Sequence, residues 1–475
     1  MSTYLRLRLR LALFAVPVIA IACSSPPKGS DDAGPFDADV PDIDAGPDAG
    51  TECTTPPCEE TVADIPLDGR RDVDLLFVID NSGSMAEEQA SLTANFSRFV
   101  NVLENIEGGL PNVHIGVVST NLGAAPFAIQ GCPGTGDNGI LQNAPRITAC
   151  DPPAGRFISD IDDGAGGRLT NYTGNLADTF ACIARLGIDG CGFEQPLEAM
   201  RRALDGTNPE NAGFVRDDAK LAVVVLSDED DCSVFDTNMF DTSQTGIDDP
   251  LGPLSSFRCF EFGVECNPDN PRAAGTKADC VPRADSAYMT DVTEYIDFLR
   301  ALKADPNDVI VAGIIGNPTP VVVGTNAMGN PQLEPSCQSA SGDAAPGVRL
   351  MAFLQGFPLR NTVTTICNED LSDALTLVGN LVAAQLGSLC LLGDIHDADP
   401  GMTGIQPTCT VTEADVELPA CDNPGDPGGS TNKPCYTIDE DLAECSFTET
   451  GLRLEVYRDG APPDTGRLIV RCLVD

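Results

Sequence analysis

Four short apolar runs alternate with helical patterns along this sequence, and this alternation limits its fold more than any other feature. Each run has few polar positions, which is typical of a strand that is buried on both faces of a sheet. The runs are Asp74–Asp80, Val113–Thr120, Leu221–Leu226 and Val309–Ile315.

Between and after these runs, apolar residues recur at intervals of three and four, as on one face of a helix. Alternation of such strands and helices predicts an α/β fold with a doubly wound, mostly parallel, Rossmann-like sheet and helices on both faces. The helical positions are Leu92, Phe96, Phe99, Leu103 and Ile106, then Leu197, Met200 and Leu204, then Tyr288–Lys303, and finally Leu371, Leu375, Val378, Val382 and Leu386.

The predicted α/β domain spans residues 67–390, and residues 391–475 predict a small Cys-rich β module. That module closes with two strand patterns, Leu452–Tyr457 and Leu468–Cys472. Three long stretches rich in Gly, Pro, Asp and Cys interrupt the α/β domain. Long irregular loops in a compact domain are usually functional or cross-linked, so we expect disulfide bonds in these stretches. The inserts are residues 122–175, 232–285 and 317–346.

The N-terminus, residues 1–22, has the pattern of a signal peptide, with arginines before a short apolar core that is too short to span a bilayer. Cys23 follows that core directly and resembles the lipidated cysteine of a bacterial lipobox, while ordinary cleavage after Ala22 is the alternative. The residues after Cys23 are Ser24 and Ser25, and neither is the Asp that retains bacterial lipoproteins in the inner membrane. This favours an anchor in the outer membrane, on a face that the sequence does not determine. The acidic Asp/Ala/Gly/Pro composition of residues 23–66 predicts a disordered tether.

The chain has 19 cysteines but 2 histidines, which argues against a His-rich zinc site. If Cys23 is lipidated, the cysteines that remain are even in number, as a disulfide framework in an exported protein requires. Local pairs such as Cys132 with Cys150, or Cys182 with Cys191, fit the spacing, although sequence does not fix connectivity. The disulfide candidates are Cys53, Cys58, Cys132, Cys150, Cys182, Cys191, Cys232, Cys259, Cys266, Cys280, Cys337, Cys367, Cys390, Cys409, Cys421, Cys435, Cys445 and Cys472.

Charge excludes two classes of partner. Asp and Glu outnumber Lys and Arg by 72 to 28, a formal net charge of −44. Nucleic acid is excluded, because phosphate backbones are bound by cationic side chains. Charge-driven binding to anionic lipid is disfavoured for the same reason, so we expect membrane attachment only through a lipid on Cys23.

The segment Asp80-Asn81-Ser82-Gly83-Ser84 follows the first apolar run, where Gly83 is expected to allow a tight turn. Ligands of open parallel sheets bind at the carboxyl ends of the strands, which is where this segment should lie. The oxygens of Asp80, Ser82 and Ser84 are hard ligands. They suit Mg²⁺ or Mn²⁺, with Ca²⁺ as an alternative, rather than Zn²⁺.

This order of residues resembles the Asp-x-Ser-x-Ser metal-ion-dependent adhesion site (MIDAS) of the von Willebrand factor type A domain, over roughly residues 67–390. The resemblance implies a second Asp at the end of the fourth sheet strand, and Asp228 fits that position. The Thr that the family places before its third helix is not evident, and Glu194 stands in the matching loop. Glu229 replaces the Gly that usually follows the second Asp.

The resemblance implies recognition rather than catalysis, because an Asp or Glu of a partner protein completes the metal's oxygen shell. We therefore expect a cell-envelope lipoprotein, not an enzyme, that binds a protein or other carboxylate-bearing ligand. A structural lipoprotein with a degenerate metal site is the alternative. A metal-dependent phosphoryl-transfer enzyme is less favoured, since Asn81 and Ser82 follow Asp80 where haloacid-dehalogenase-like hydrolases have Asp-x-Asp.

Two further features are weaker candidates for a metal site. The acidic run Asp228–Asp231 is expected to be solvated rather than a calcium cluster. His114 lies in a strand pattern and is expected to be structural, whereas His396 lies beside Asp394 and Asp397 and is a minor metal candidate.

Overall fold

The computed structural model describes residues 60–474 apart from 148, 340–341, 449 and 462–465. The predicted signal peptide, Cys23, Cys53, Cys58 and most of the predicted tether lie outside the described residues. Within the described part, the helices are α1 Ala86–Asn105, α2 Leu176–Ala184, α3 Pro196–Leu204, α4 Phe257–Gly263, α5 Val292–Ala301, α6 Val348–Gln355 and α7 Ser372–Gln385.

The strands belong to several sheets of a mixed α/β structure. In chain order they are β1 Glu60–Pro66, β2 Asp72–Ile79, β3 Asn112–Ser119, β4 Ile158–Asp162, β5 Arg168–Thr170, β6 Lys220–Ser227, β7 Val264–Asn267, β8 Gly275–Pro282, β9 Val309–Ile315, β10 Val321–Thr325, β11 Pro331–Leu333, β12 Cys337–Gln338, β13 Asp343–Ala344, β14 Asn361–Thr365, β15 Cys409–Glu413, β16 Val416–Leu418, β17 Cys435–Glu440, β18 Leu452–Tyr457 and β19 Arg467–Leu473.

The largest sheet has the order β14-β9-β6-β2-β3-β4-β5. Its first five strands are parallel, and β4 and β5 extend it in the antiparallel sense. The four apolar runs form β2, β3, β6 and β9, so the predicted mostly parallel sheet is confirmed.

The two faces of this sheet are buried by different helices. Alternate side chains of β2 belong to separate cores: Leu75 and Phe77 pack with α1, α2 and α7, whereas Leu76 and Val78 pack with α3, α5 and α6. Phe77, for example, lies 4.7 Å from Phe180 of α2 between ring centroids. Burial of each such side chain stabilises the fold by about 1.5–3 kcal/mol, which is why β2 is apolar at every position from Leu75 to Ile79.

Two inserts are more ordered than expected. Strands β7 and β8 of the 232–285 insert and strands β10 and β11 of the 317–346 insert form one antiparallel sheet, in the order β11-β10-β8-β7. Strand β8 is mostly exposed, so it lacks the apolar alternation that would have predicted a strand. The two inserts therefore support each other rather than forming separate loops.

Eight disulfides join cysteines within the described residues, and such bonds are typical of exported proteins that fold in an oxidising compartment. The local pairs suggested by spacing, Cys132 with Cys150 and Cys182 with Cys191, are wrong. The 122–175 insert folds back on the α2 region, so its cysteines pair outside the insert. The bonds are Cys132–Cys191, Cys150–Cys182, Cys232–Cys259, Cys266–Cys280, Cys337–Cys367, Cys390–Cys445, Cys409–Cys472 and Cys421–Cys435.

The C-terminal β module includes residues that the sequence assigned to the tether. Residues 60–66 form β1, which pairs along its whole length with β19 in the sheet β1-β19-β15-β16. Ile65 is fully buried there, but its partner strand lies some 400 residues later, so no local pattern indicated the pairing. Strands β18 and β19 form as predicted but lie in different sheets. In the described part of the chain, no helix has the length and apolarity needed to cross a membrane.

Candidate metal centre

Polar residues follow three neighbouring strands of the central sheet at the same edge. Residue pairing aligns Ile79 of β2 with Ser119 of β3 and with Leu226 of β6. Because these strands are parallel, the next residues along each chain segment meet at the carboxyl edge. They are Asp80 after β2, Thr120 after β3, and Ser227 and Asp228 at the end of β6.

Asp80 is fully buried at the centre of this edge. Its Oδ1 accepts a hydrogen bond from the Ser82 amide (2.7 Å), and its Oδ2 accepts one from the Ser227 hydroxyl (2.6 Å). The hydroxyl oxygens of Ser82 and Ser84 lie 3.2 Å apart. Gly83 has no positive φ and open space where a Cβ would lie, so the expected need for glycine in this turn is wrong.

Asp228 and Glu194 both lie near the Asp80 carboxylate. Asp228 is 5% exposed, and Glu194 is fully buried and accepts a hydrogen bond from the Thr120 hydroxyl. Repulsion from Asp80 contributes to the pKa shifts of both. The structure therefore brings together all five candidate ligands: Asp80, Ser82, Ser84, Asp228 and Glu194.

Carboxyl groups at this edge resist ionisation. Burial is the main cause, and it raises the pKa of Asp80, of Glu194 and of Glu229, the last two well above their ordinary values. Burial, followed by repulsion from Asp80, raises the pKa of Asp228 to about 7. Groups that are hard to ionise without a counter-charge are the groups that a cation stabilises most.

Four buried oxygen atoms at this edge have no hydrogen-bond donor: Asn81 Oδ1, Glu88 Oε2, Glu194 Oε1 and Asp228 Oδ1. Leaving a buried acceptor unpaired costs about 1–3 kcal/mol, and more for a charged group. As metal ligands these atoms are hard oxygens, which fit Mg²⁺, Mn²⁺ or Ca²⁺. No three His, Cys, Asp or Glu side chains in the described residues are arranged to hold one ion together, so the fitting set is mixed: the Asp80 and Asp228 carboxylates with the Ser82 and Ser84 hydroxyls.

The sequence did not single out several residues that support these ligands. Ser227 orients Asp80, and Gln89 of α1 donates to the Asp80 carbonyl oxygen (2.8 Å) and to that of Gly187 (3.0 Å). Ser227 and Thr120 stand at the carboxyl ends of predicted strands, so that position could have marked them. Glu88 could not be found in this way, because it lies in the first turn of α1, where an acidic residue is ordinary helix chemistry.

The acidic run Asp228–Asp231 is not solvated as expected. Asp230 accepts hydrogen bonds from the first turn of α6, at the Arg349 and Leu350 amides (2.9 and 3.1 Å). Asp231 is fully buried and pairs with the fully buried Arg349 guanidinium at 2.9 Å. Both side chains thereby fix the segment that carries Asp228.

Stability of the metal-free protein should fall as pH rises. The pKa of Asp228 is raised to about 7 in the folded state, so the stabilising contribution of its bound proton is present at low pH and is lost as pH passes 7. Between pH 6 and pH 8 we expect a loss on the order of 1 kcal/mol. Thermal unfolding in EDTA would measure it. Asp228→Asn should reduce the pH difference, and an unchanged difference in that variant would contradict the assignment.

Comparisons with known proteins found no matching family model and no matching curated protein. Among solved structures, the pilus adhesin SpaC from Lactobacillus rhamnosus GG is 11% identical, with a TM-score of 0.30 over 89% of this chain. This chain spans 41% of that adhesin. BatB from Bacteroides thetaiotaomicron is 11% identical, with a TM-score of 0.24 over 66% of this chain and 97% of that chain. The adhesive tip pilin GBS104 from Group B Streptococcus agalactiae is 9% identical, with a TM-score of 0.27 over 87% of this chain and 81% of that chain. Scores below 0.5 do not establish a shared fold, so the function proposed below is drawn from the residues of this chain.

Proposed function

We propose that the chain is a cell-envelope lipoprotein whose α/β domain, of the von Willebrand factor type A class, binds a carboxylate-bearing protein ligand through a divalent metal ion. The observation that carries this proposal is the meeting of Asp80, Ser82, Ser84 and Asp228 at one sheet edge, where the buried Asp228 Oδ1 has no hydrogen-bond donor. A lipid on Cys23 would anchor the chain in the outer membrane. Eight disulfides support the exported location.

The chain supplies fewer ligands than the proposed metal ion takes. Mg²⁺ takes six oxygen ligands, and Asp80, Ser82, Ser84 and Asp228 offer one each, so positions remain for water or for a partner. When bound, the metal would supply positive charge to an incoming Asp or Glu. Asp80 and Asp228 would hold the ion, Ser227 would orient Asp80, and Asp230 would keep the Asp228 segment in place.

The test is a peptide array in which every Asp- or Glu-containing peptide has a copy with Asn or Gln instead. The full-length, disulfide-bonded protein is applied in Mg²⁺ and, in parallel, in EDTA. We expect binders that require both Mg²⁺ and the acidic residue. Binders that ignore the Asn/Gln change, or an array without Mg²⁺-dependent binders, would contradict the proposal and favour a structural lipoprotein with a degenerate site.

A further inference from the structure

The loop that follows β3 presents an apolar groove to solvent. From Leu122 to Gly136 this loop has no charged side chain, in a chain that is 21% charged. The groove has a volume of about 490 Å³, and concave, mostly apolar surfaces of this size are where proteins bind ligand groups. The residues that line the apolar groove are Ala125, Pro126, Phe127, Ala128, Ile129, Gln130, Pro133 and Gly134.

Bonds within the loop hold the apolar groove in one shape. The Ala125 amide donates to the Gly134 carbonyl oxygen (2.9 Å) across the base of the loop. Gly123 has a positive φ, and a Cβ there would collide with the same carbonyl oxygen, so the two ends of the loop are in direct contact. The disulfide between the buried Cys132 and Cys191 ties the loop to the segment before α3. A surface whose shape is set in advance loses little conformational entropy when a ligand binds.

The apolar groove stands on the same support as the loops of the candidate metal centre. Phe127 and Ile129 pack against a buried cluster that contains Phe193 and Cys232. Phe193 directly precedes Glu194, and the Cys232 amide donates to the Glu194 carbonyl oxygen (2.7 Å). The groove is therefore fixed relative to the carboxyl edge of the central sheet.

Two further contacts place the apolar groove beside the metal centre. The Gly190 amide donates to the carbonyl oxygen of Asn81, the residue after Asp80 (2.8 Å). The Gly190 carbonyl oxygen in turn lies 3.7 Å from the position that a Cβ on Gly131, in the groove loop, would take. A standard protein interface buries about 800 Å² on each partner, a disc roughly 16 Å in radius. A protein bound at Asp80 would therefore cover the apolar groove as well.

The composition of the apolar groove indicates which group of that protein it fits. Among the described lining residues, only Gln130 has a polar side chain, so the groove offers burial rather than charge. A second copy of this chain is a disfavoured occupant, because each copy has a formal net charge of −44 and the two would repel. An apolar side chain of a different protein meets no such repulsion.

We propose that the apolar groove binds an apolar side chain of the protein ligand whose acidic residue reaches the metal. The inference rests on the proposed function, because it assigns a second contact to the same ligand. It narrows the ligand to a protein that presents an apolar and an acidic residue on one face.

The test compares Nα-acetyl-leucine amide with Nα-acetyl-asparagine amide, whose side chain has nearly the same shape but is polar. Both are titrated by NMR into the full-length, disulfide-bonded protein in EDTA, so that the metal centre takes no part. We expect the leucine compound to bind at least about tenfold more tightly, the ratio for a leucine side chain that leaves water. Equal binding of the two compounds, or no binding of either, would overturn the assignment.

Two matched variants locate the binding. Ala128→Asp, at an exposed lining position, places a charge in the apolar groove and should abolish the preference for leucine. Val416→Asp adds the same charge on β16, where the side chain is 63% exposed, and should leave the preference unchanged. Retained preference in Ala128→Asp, or loss of preference in Val416→Asp, would overturn the assignment.

Sedimentation velocity tests the other occupant. We expect the parent and Ala128→Asp to sediment alike as monomers. A parent dimer that dissociates in Ala128→Asp would show that a second copy fills the apolar groove, and would overturn the proposal.

The outcome is separable from that of the proposed function. The leucine–asparagine comparison is made without metal and reports on the apolar groove, whereas the Asp/Glu requirement on the peptide array reports on the metal centre. Leucine preference without an acid requirement would keep the groove as a binding site and reject the proposed function. An acid requirement without leucine preference would overturn the groove and keep the proposed function.

Discussion

Asp80→Asn is expected to remove saturable Mg²⁺ and Mn²⁺ binding in calorimetric titration. Asp80 lies at the centre of the site, and loss of residues that only support metal ligands typically weakens affinity about 10- to 100-fold, so loss of a ligand should cost at least that. Asn is chosen because it keeps an acceptor for the Ser82 amide, which Ala would leave unpaired. In the parent, Mg²⁺ at a hundred times its Kd should raise the free energy of unfolding by about 2.7 kcal/mol, and Asp80→Asn should lose this gain.

Two further variants make this result specific. Ser227→Ala removes the hydroxyl that orients Asp80 and should weaken Mg²⁺ binding about 10- to 100-fold without abolishing it. Asp218→Asn, on the exposed loop before β6, should bind as the parent does. Without metal, Asp80→Asn should be at least as stable as the parent at pH 8, because the substitution removes the Asp80 charge that repels Glu194 and Glu229. Undiminished Mg²⁺ binding in Asp80→Asn would refute the site.

Arg349→Met is expected to lower the free energy of unfolding by about 3–5 kcal/mol, because it leaves the Asp231 carboxylate buried without its partner. Arg349 and Asp231 are both fully buried, and Arg349 also donates to the Thr290 carbonyl oxygen (2.8 Å). Urea unfolding followed by circular dichroism measures the loss, and this probe suits a chain without tryptophan. Because Asp231 is three residues from Asp228, Mg²⁺ affinity should fall as well.

The control is an exposed pair of the same kind. Lys433 and Asp459 are 3.1 Å apart, but the Asp459 side chain is 85% exposed, so Lys433→Met should cost less than about 1 kcal/mol. A double-mutant cycle isolates the buried pair: Asp231→Asn should cost far less in the Arg349→Met background than in the parent. Additive effects of the two substitutions would show that the pair contributes no coupling.

The parts of the fold that sequence predicted are those whose signal is local. Strands β2, β3, β6 and β9 are buried on both faces, so each is apolar without reference to any partner. Asp80 and Asp228 could be placed together for the same reason, since both directly follow such strands. Predicting these two positions requires knowing where each strand ends, but it does not require knowing how the loops fold.

The parts that sequence missed depend on contacts between distant segments. Strand β14 is half-buried throughout and consists of Asn, Thr and Val, so it has no strong pattern at the sheet edge. Strand β1 is defined by a partner at the other end of the described chain. Glu88 reads as a helix-surface acid, but a Cβ on Gly342 would lie 2.9 Å from its Oε1, so it is the 317–346 insert that covers it.

Strand β1 is also where tension on the chain would enter the fold. A pull on the residues ahead of Glu60 would load β1 along its seven pairs with β19, from Glu60 with Leu473 to Pro66 with Arg467. At the loaded end, the partner strand β19 is itself fixed to β15 by the Cys409–Cys472 disulfide, so β1 would be pulled against a cross-linked pair of strands. At the inner end, Asp64 accepts hydrogen bonds from Arg467 (2.6 Å) and from Arg360 (3.0 Å), just before β14 of the central sheet. Load applied ahead of Glu60 would therefore reach the sheet that carries Asp80 through these ion pairs as well as through the backbone that continues from β1 into β2.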